Sequence, residues 1–301
     1  MKLVTFLRDD APHLGIRTER GIIDVSVAAA AWQEHKQAVP ETIMEVIEQG
    51  DAAIEALQRL EHQALASGET KDWLMEESQL TYAPCVTNPG KIICIGLNYR
   101  RHAEETNSPI PVYPIVFNKF NNTLTAHGSD VVLPAVSTQV DYEAELAIVM
   151  GRAAKNVPEE EALDYVFGYC NVNDLSARDL QFRTGQWLLG KTCDGFSPLG
   201  PYLVTADEVG DPQRLAIRTT VNGELRQHSS TSDMIFGCGE IVSYLSRHMT
   251  LLPGDIILTG TPEGVVMGYP EAEQQYLQAG DLVEVEIEKL GVLTNRMVAE
   301  V

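Results

Sequence analysis

The chain has 301 residues, enough for one large hydrophobic core or two smaller ones, and its 44% apolar content is that of an ordinary soluble globular protein. With 22 basic against 43 acidic residues the formal charge is −21, and no basic run offsets it, which excludes nucleic acid and anionic membrane as partners. An anionic substrate would need local help against that field, so isolated Lys and Arg residues beside acidic ones carry information.

The opening MKLVTFLRDD lacks the long apolar stretch of a signal peptide, and no window reaches the roughly 18 apolar residues of a membrane span. Cys85, Cys94, Cys170, Cys193 and Cys238 are odd in number, widely spaced and without a C-x-x-C pair. Neither a disulfide framework nor a zinc site is expected, and the cytoplasm is the expected compartment. Residues 2–25 read as short strands around a turn at Glu19, Arg20 and Gly21. Three helical patterns follow over residues 26–67, VAAAAWQEHK, TIMEVIEQG and AAIEALQRLEHQALAS, the last two stopped by Gly50 and Gly68. A polar, Pro-bearing passage over residues 68–90, with one strand at 80–83, sets an expected boundary between a small N-terminal α/β domain (1–85) and a larger domain (86–301).

The second part opens with the buried strand KIICIG (91–96) and a short helical pattern, NYRRHAEE (98–105). His102 and Glu105 are three apart on that helix and within reach of each other. A carboxylate beside an imidazole orients it and raises its basicity, which is how a His becomes a general base for water; a surface pair is the plain alternative. The Pro-rich segment that follows (Pro109, Pro111, Pro114) suits a lid ordered on binding or a simple surface loop. Lys119, in FNKF, could meet a carboxylate but reads first as a surface lysine, and His127 reads as a loop histidine before a substrate contact.

Glu143 and Glu145 stand two apart in an apolar alternating run, 142–150, so on a strand both point to one face. That face is either solvated or a site. Asp174, with Asn173 beside it, closes a second apolar run at 166–172. If the two strands lie side by side, three carboxylates converge, a costly cluster unless a cation joins it. Oxygen donors with no neighbouring Cys or His pair favour Mg²⁺ or Mn²⁺ over Zn²⁺. Arg178 and Gln181 follow Asp174 at four and seven residues and share a face if a helix starts there. Lys191 sits in the Gly-bounded LGKTCDGFSPLG, where a lone lysine has little to gain structurally. Asn222 and Gly223 signal a two-residue hairpin. TGTPEGV (259–265) suits an anion-binding turn with Thr261 as donor, or a plain turn, and lacks the Lys-Ser/Thr ending of a P-loop. Strands at 282–287 and 292–298 close the chain. Strands outnumber helices from residue 91 on without alternating one-for-one, so an α+β, β-rich mixed fold is expected.

The ordered series IGLNYRRHAEE, FNKF, DYEAELAIVMG, FGYCNVNDLSARDLQ, GKTCDGFSPLGP, VNGELRQ, SDMIF and GDIILTGTPEGV resembles the fumarylacetoacetate hydrolase family over residues 90–300. The resemblance implies a mixed β-sandwich roll, a Mg²⁺ or Mn²⁺ site, a homodimer and a small-molecule 2-oxo acid substrate. By motif position, Glu143, Glu145 and Asp174 would be metal ligands, and His102 with Glu105 the catalytic dyad on a lid helix. Lys191 would face the substrate beside the metal, and Arg178, Gln181 and Thr261 would line its pocket. Ile95 stands where the larger eukaryotic hydrolase has a further aspartate ligand, which aligns the chain with the shorter bacterial branch. The activity implied is C–C hydrolysis of an acylpyruvate or related β-diketo acid through a metal-stabilised enolate. Oxaloacetate decarboxylation and isomerisation of a 2-oxo dienoate are the alternatives. A non-enzymatic scaffold is disfavoured because no ligand and neither dyad member is missing.

Overall fold

Strands whose burial is continuous, and strands whose burial alternates, separate into two layers. In the computed structural model, which describes residues 1–31, 39–67 and 72–300, the described residues form a large mixed sheet of twelve strands and a second of five. The central strands of the large sheet, Ile92–Gly96, Ala144–Met150, Val166–Asn173, Ser197–Thr205 and Ile256–Leu258, are buried along their whole length. Covered on both faces, they need no polar side and read as nearly unbroken apolar runs. In the five-stranded sheet Leu282–Ile287 and Ala216–Val221 alternate buried with partly exposed or exposed positions, one face on the core and one toward solvent. Ile148, Tyr169 and Val204 of the first sheet share a core with Ile217, Val285 and Leu293 of the second, which makes the architecture an α+β, strand-rich sandwich.

The N-terminal residues belong to the large sheet. Lys2–Arg8 pairs antiparallel with Ser197–Thr205, Lys2 opposite Val204 and Leu3 opposite Leu203. The main sheet thus continues across residue 85. Helices Val25–Ala31, Ile43–Gln49 and Asp51–Ala66 cover its outer face through Val46, Ile47, Leu57 and Leu60. Thr42 caps the second of these by accepting from Glu45 N at 3.2 Å, and Gly50 at φ 58° lets the third begin at once. The tail of the expected VAAAAWQEHK helix (32–36), and Gly68, lie outside the described residues. No helix among the described residues is long and apolar enough to cross a membrane. All five cysteines are free thiols.

Two local departures from the sequence reading matter for the site. The expected strand at 142–150 begins at Ala144, because the Glu143 amide is bonded by the side-chain Oδ1 of Asn173 at 3.0 Å instead of by a main-chain partner. The expected helix at 98–105 begins at Arg100, after Leu97 takes φ 52° and Asn98 turns its amide into the core.

Buried amides clip the layers together. Asn171 accepts from Ile287 N at 2.9 Å and donates through Nδ2 to Gly200 O, Leu290 O and Gly291 O at 3.1–3.2 Å, so one side chain joins the large sheet to the small one. Asn98 similarly holds Phe236 N and O and Thr259 O. Replacing Asn171 by Ala strands these buried main-chain groups without partners. We expect a loss of about 3 kcal/mol of stability, seen as a lower urea midpoint with an unchanged m-value.

Candidate active site

The antiparallel pairing of Ala144–Met150 with Val166–Asn173 sets Ala144 opposite Asn173 and Glu145 opposite Val172. Glu143 and Asp174 therefore meet where the two strands end, and Asp174 N donates to Glu143 O at 2.9 Å. Side-chain oxygens of Glu143, Glu145 and Asp174 come within 4.8 Å of one another, and all three residues are buried. The period-two and strand-end placements read from the sequence thus lead to one point.

Three cations from three further segments close around it. Lys191 Nζ lies 2.7 Å from both Glu143 Oε2 and Asp174 Oδ2. Lys119 Nζ lies 2.5 Å from Asp174 Oδ1 and donates to Phe196 O at 2.6 Å. Arg178 Nη2 is 2.8 Å from both Glu143 Oε1 and Asp141 Oδ2, while Nη1 donates to Gln181 Oε1 at 2.9 Å. Four buried carboxylates, Asp141, Glu143, Glu145 and Asp174, thus face three buried cations. The carboxylate with no cation in salt-bridge reach among the described residues is Glu145, which accepts from Gly260 N at 2.7 Å.

The titration of these groups reflects that imbalance. Burial raises the Glu143 carboxyl, but Lys191 and Arg178 outweigh it and hold the group at about 2. Burial, then the charges of Asp174 and Glu143, push Glu145 well above its ordinary value. Burial disfavours the charged forms of Lys191 and Arg178, yet the facing carboxylates raise both above their usual range. A divalent cation on Glu143, Glu145 and Asp174 would favour the ionised form of Glu145, the carboxylate that no side-chain cation pairs among the described residues, and the donors are hard oxygens throughout. The site fits Mg²⁺ or Mn²⁺ by charge and by donor type.

A cavity of about 210 Å³ opens on this cluster. Its polar lining includes His102, Glu143, Glu145, Arg178, Gln181, Lys191 and Thr261, and its apolar lining Leu97, Phe117, Phe182, Trp187 and Met267. Glu105 and Asp174 stand directly behind His102 and Lys191. His102 Nδ1 is 2.8 Å from Glu105 Oε1. An ionised carboxylate only accepts, so Nδ1 carries the proton and Nε2 is left as the acceptor of a ring that lines the cavity. The helix bearing the dyad is fastened: Glu105 Oε2 accepts from Gly264 N at 2.9 Å, and Arg101 pairs with Glu263 at 3.3 Å. Within the apolar lining the Trp187 indole covers Gly96, where a Cβ would come within 2.5 Å of Cζ3. Phe117 meets Trp187 edge-on at 5.4 Å and lies 5.1 Å from Lys191 Nζ.

The structure corrects one reading and adds three residues. Lys119 is not a surface lysine: only 2% of it is exposed, because the buried Asp174 draws its ammonium inward. Asp141 holds Arg178 and accepts from Val266 N at 2.9 Å and Met267 N at 3.2 Å, tying the arginine to the loop that bonds Glu105. Its period-two spacing with Glu143 and Glu145 is the signal that could have found it. Gln227 and Trp187 carry none. His127 lies away from the cavity, its Nδ1 accepting from Thr294 N at 3.0 Å and its ring set edge-on to Tyr82.

Residues 91–298 match the family model for the C-terminal domain of fumarylacetoacetate (FAA) hydrolase. The chain is 42% identical to the mitochondrial oxaloacetate tautomerase FAHD2B of Bos taurus, over 99% of this chain and 92% of that protein. Among solved structures it is similar to a fumarylacetoacetate hydrolase from the psychrophilic Exiguobacterium antarcticum, at TM-score 0.80 and 32% identity with both chains fully covered. It is also similar to a maleylpyruvate hydrolase from Sphingobium sp. SYK-6 in complex with manganese(II) ion and pyruvate, at TM-score 0.78 and 30% identity, again over both whole chains.

The charge imbalance generates an expectation of opposite signs. Glu145→Gln removes the carboxyl whose ionisation burial and its acidic neighbours oppose, so with chelator present the variant should melt about 2–4 °C above wild type, the shift expected for about 1 kcal/mol. Saturating Mn²⁺ should raise the melting temperature of wild type and leave that of Glu145→Gln unchanged. An equal Mn²⁺ shift in both proteins would remove Glu145 from the ligand set.

Proposed function

Because the chain belongs to the fumarylacetoacetate hydrolase family, we propose that it is a metal-dependent enzyme acting on a small 2-oxo acid through its enolate, with keto–enol tautomerisation of oxaloacetate as its reaction. The observation that carries this reading is a proton acceptor, His102 Nε2, lining the same cavity as a buried ammonium and a metal-ready carboxylate trio. The near full-length likeness to a protein described as an oxaloacetate tautomerase supports the choice of reaction.

A Mg²⁺ or Mn²⁺ ion held by Glu143, Glu145 and Asp174 would supply Lewis acidity toward the carboxylate and 2-oxo oxygens of the substrate. Arg178, oriented by Asp141 and backed by Gln181, fixes the substrate carboxylate. Lys191 supports the negative charge that grows on the 2-oxo oxygen when a C3 proton leaves. His102 Nε2 takes that proton, and Glu105 holds the resulting imidazolium. Return of the proton to the oxygen completes the enol, with no carbon–carbon bond broken. Phe117, Phe182 and Trp187 keep bulk water from the enolate.

The dyad favours a second reading, since the same Nε2 can take its proton from water and direct hydroxide at the distal carbonyl of an acylpyruvate. The similar maleylpyruvate hydrolase supports it.

Two assays on Mn²⁺-loaded protein separate these. Decay of the enol absorbance of freshly dissolved enol-oxaloacetate should be accelerated, and acetylpyruvate should not release pyruvate. Cleavage of acetylpyruvate without acceleration of the oxaloacetate decay would put hydrolysis in first place; inactivity on both would defeat the two readings together. His102→Ala should lower kcat for tautomerisation by about a hundredfold or more, with Mn²⁺ affinity unchanged.

A further inference from the structure

In the strand Glu224–Ser230 of the five-stranded sheet, Gln227 is the fully buried position. A primary amide buried there has two donors and two acceptor sites to satisfy, and all four are satisfied. Oε1 accepts from Ala144 N at 3.0 Å and from Thr219 Oγ1 at 2.8 Å. Nε2 donates to Pro262 O and to Thr261 Oγ1, both at 2.9 Å.

The orientation of this amide is fixed by chemistry. Ala144 N–H can only donate and Pro262 C=O can only accept, so the flipped amide would set donor against donor and acceptor against acceptor. Nε2 must therefore donate its remaining hydrogen to Thr261. The threonine oxygen is thereby used as an acceptor, and its own hydrogen is donated to no group among the described residues. Thr261 is 3% exposed and lines the cavity. Its loop is pressed against the strand, since a Cβ on Gly264, at φ 99°, would come within 2.1 Å of Arg226 O. Ala144 is the residue between Glu143 and Glu145. One amide therefore registers the carboxylate trio and the threonine hydroxyl against each other.

We infer that Gln227 is a positioning residue that fixes Thr261 as a hydrogen-bond donor into the cavity, so that this subsite presents an O–H to an accepting substrate oxygen such as that of a carboxylate or enolate. The inference rests on the reading that a 2-oxo acid occupies the cavity. It assigns Gln227 no contact with substrate.

The test is a double-mutant cycle on oxalate affinity, measured by calorimetry on protein saturated with Mn²⁺, using Gln227→Met, Thr261→Val and their combination. Each single variant should weaken oxalate about tenfold, as for one lost hydrogen bond to an anion, and the double variant should be no weaker than Thr261→Val. A double variant weakened about a hundredfold, the product of two independent effects, would show that Gln227 only supports the strand and would overturn the inference. Unchanged affinity in Thr261→Val would also overturn it. Should Gln227→Met fail to fold, Gln227→Glu serves in its place: it keeps the acceptor for Ala144 N and turns the Thr261 hydrogen toward itself, so it should match Thr261→Val. Wild-type affinity in that variant overturns the inference. Oxalate binding without oxaloacetate turnover would defeat the tautomerase reading while the cycle still decides the role of Gln227. Failure of the Mn²⁺-loaded wild type to bind oxalate would overturn the subsite itself.

Discussion

A buried negative charge in excess is the constraint on which the rest of the site depends. Taking four carboxylates out of water is unfavourable by several kcal/mol for each ion left unpaired, and Asp141, Glu143, Glu145 and Asp174 are all inside. The compensating groups come from an edge strand (Lys119) and from two four-residue helices (Arg178, Lys191) that have little stability of their own. Attraction to the acids is what orders these short segments. Their order in turn shapes the cavity, since Phe117 is carried by the strand of Lys119 and Trp187 precedes the helix of Lys191. The electrostatics of the trio and the form of the far wall are one problem in this fold.

The local half of that problem is legible in the sequence. Side-chain direction follows from the periods of strand and helix, so Glu143 with Glu145, His102 with Glu105, and Arg178 with Gln181 can be paired by counting. Asp141 obeys the same count but lies just outside the apolar run, which hides it. The remainder depends on contacts between distant segments. Lys119 looks like any strand-end lysine until Asp174, 55 residues later, is known to lie beside it. Gln227 is 83 residues from Ala144 and in a different sheet. Nothing in MKLVTFLRDD announces that its strand will pair with Ser197–Thr205. The family resemblance implies roles for the residues, while their distances and partners depend on the fold.

The mixed polar and apolar lining of the cavity bears on how relatives of this chain diverge. Oxaloacetate tautomerase and maleylpyruvate hydrolase are names borne by proteins similar to it over nearly the whole length. In this chain Lys191 and Arg178 are the cations that a developing oxyanion in the cavity would meet, and the acids hold both in place. The apolar groups that meet any ligand in this cavity are Leu97, Phe117, Phe182, Trp187 and Met267.

The amide at position 227 has a consequence for descent. Among the twenty side chains only glutamine offers two donor and two acceptor positions at that reach: asparagine falls a methylene short, and glutamate carries no donors. A lineage that loses it disturbs Ala144 and Thr261 at once, with no intermediate residue to cross the gap. The aromatic wall has the opposite character, because its contacts are non-directional and apolar exchanges of similar volume cost little. Variation should therefore accumulate among the apolar lining residues while the hydrogen-bonded ones stay frozen, giving a protein that can change what it accepts without first losing what it does.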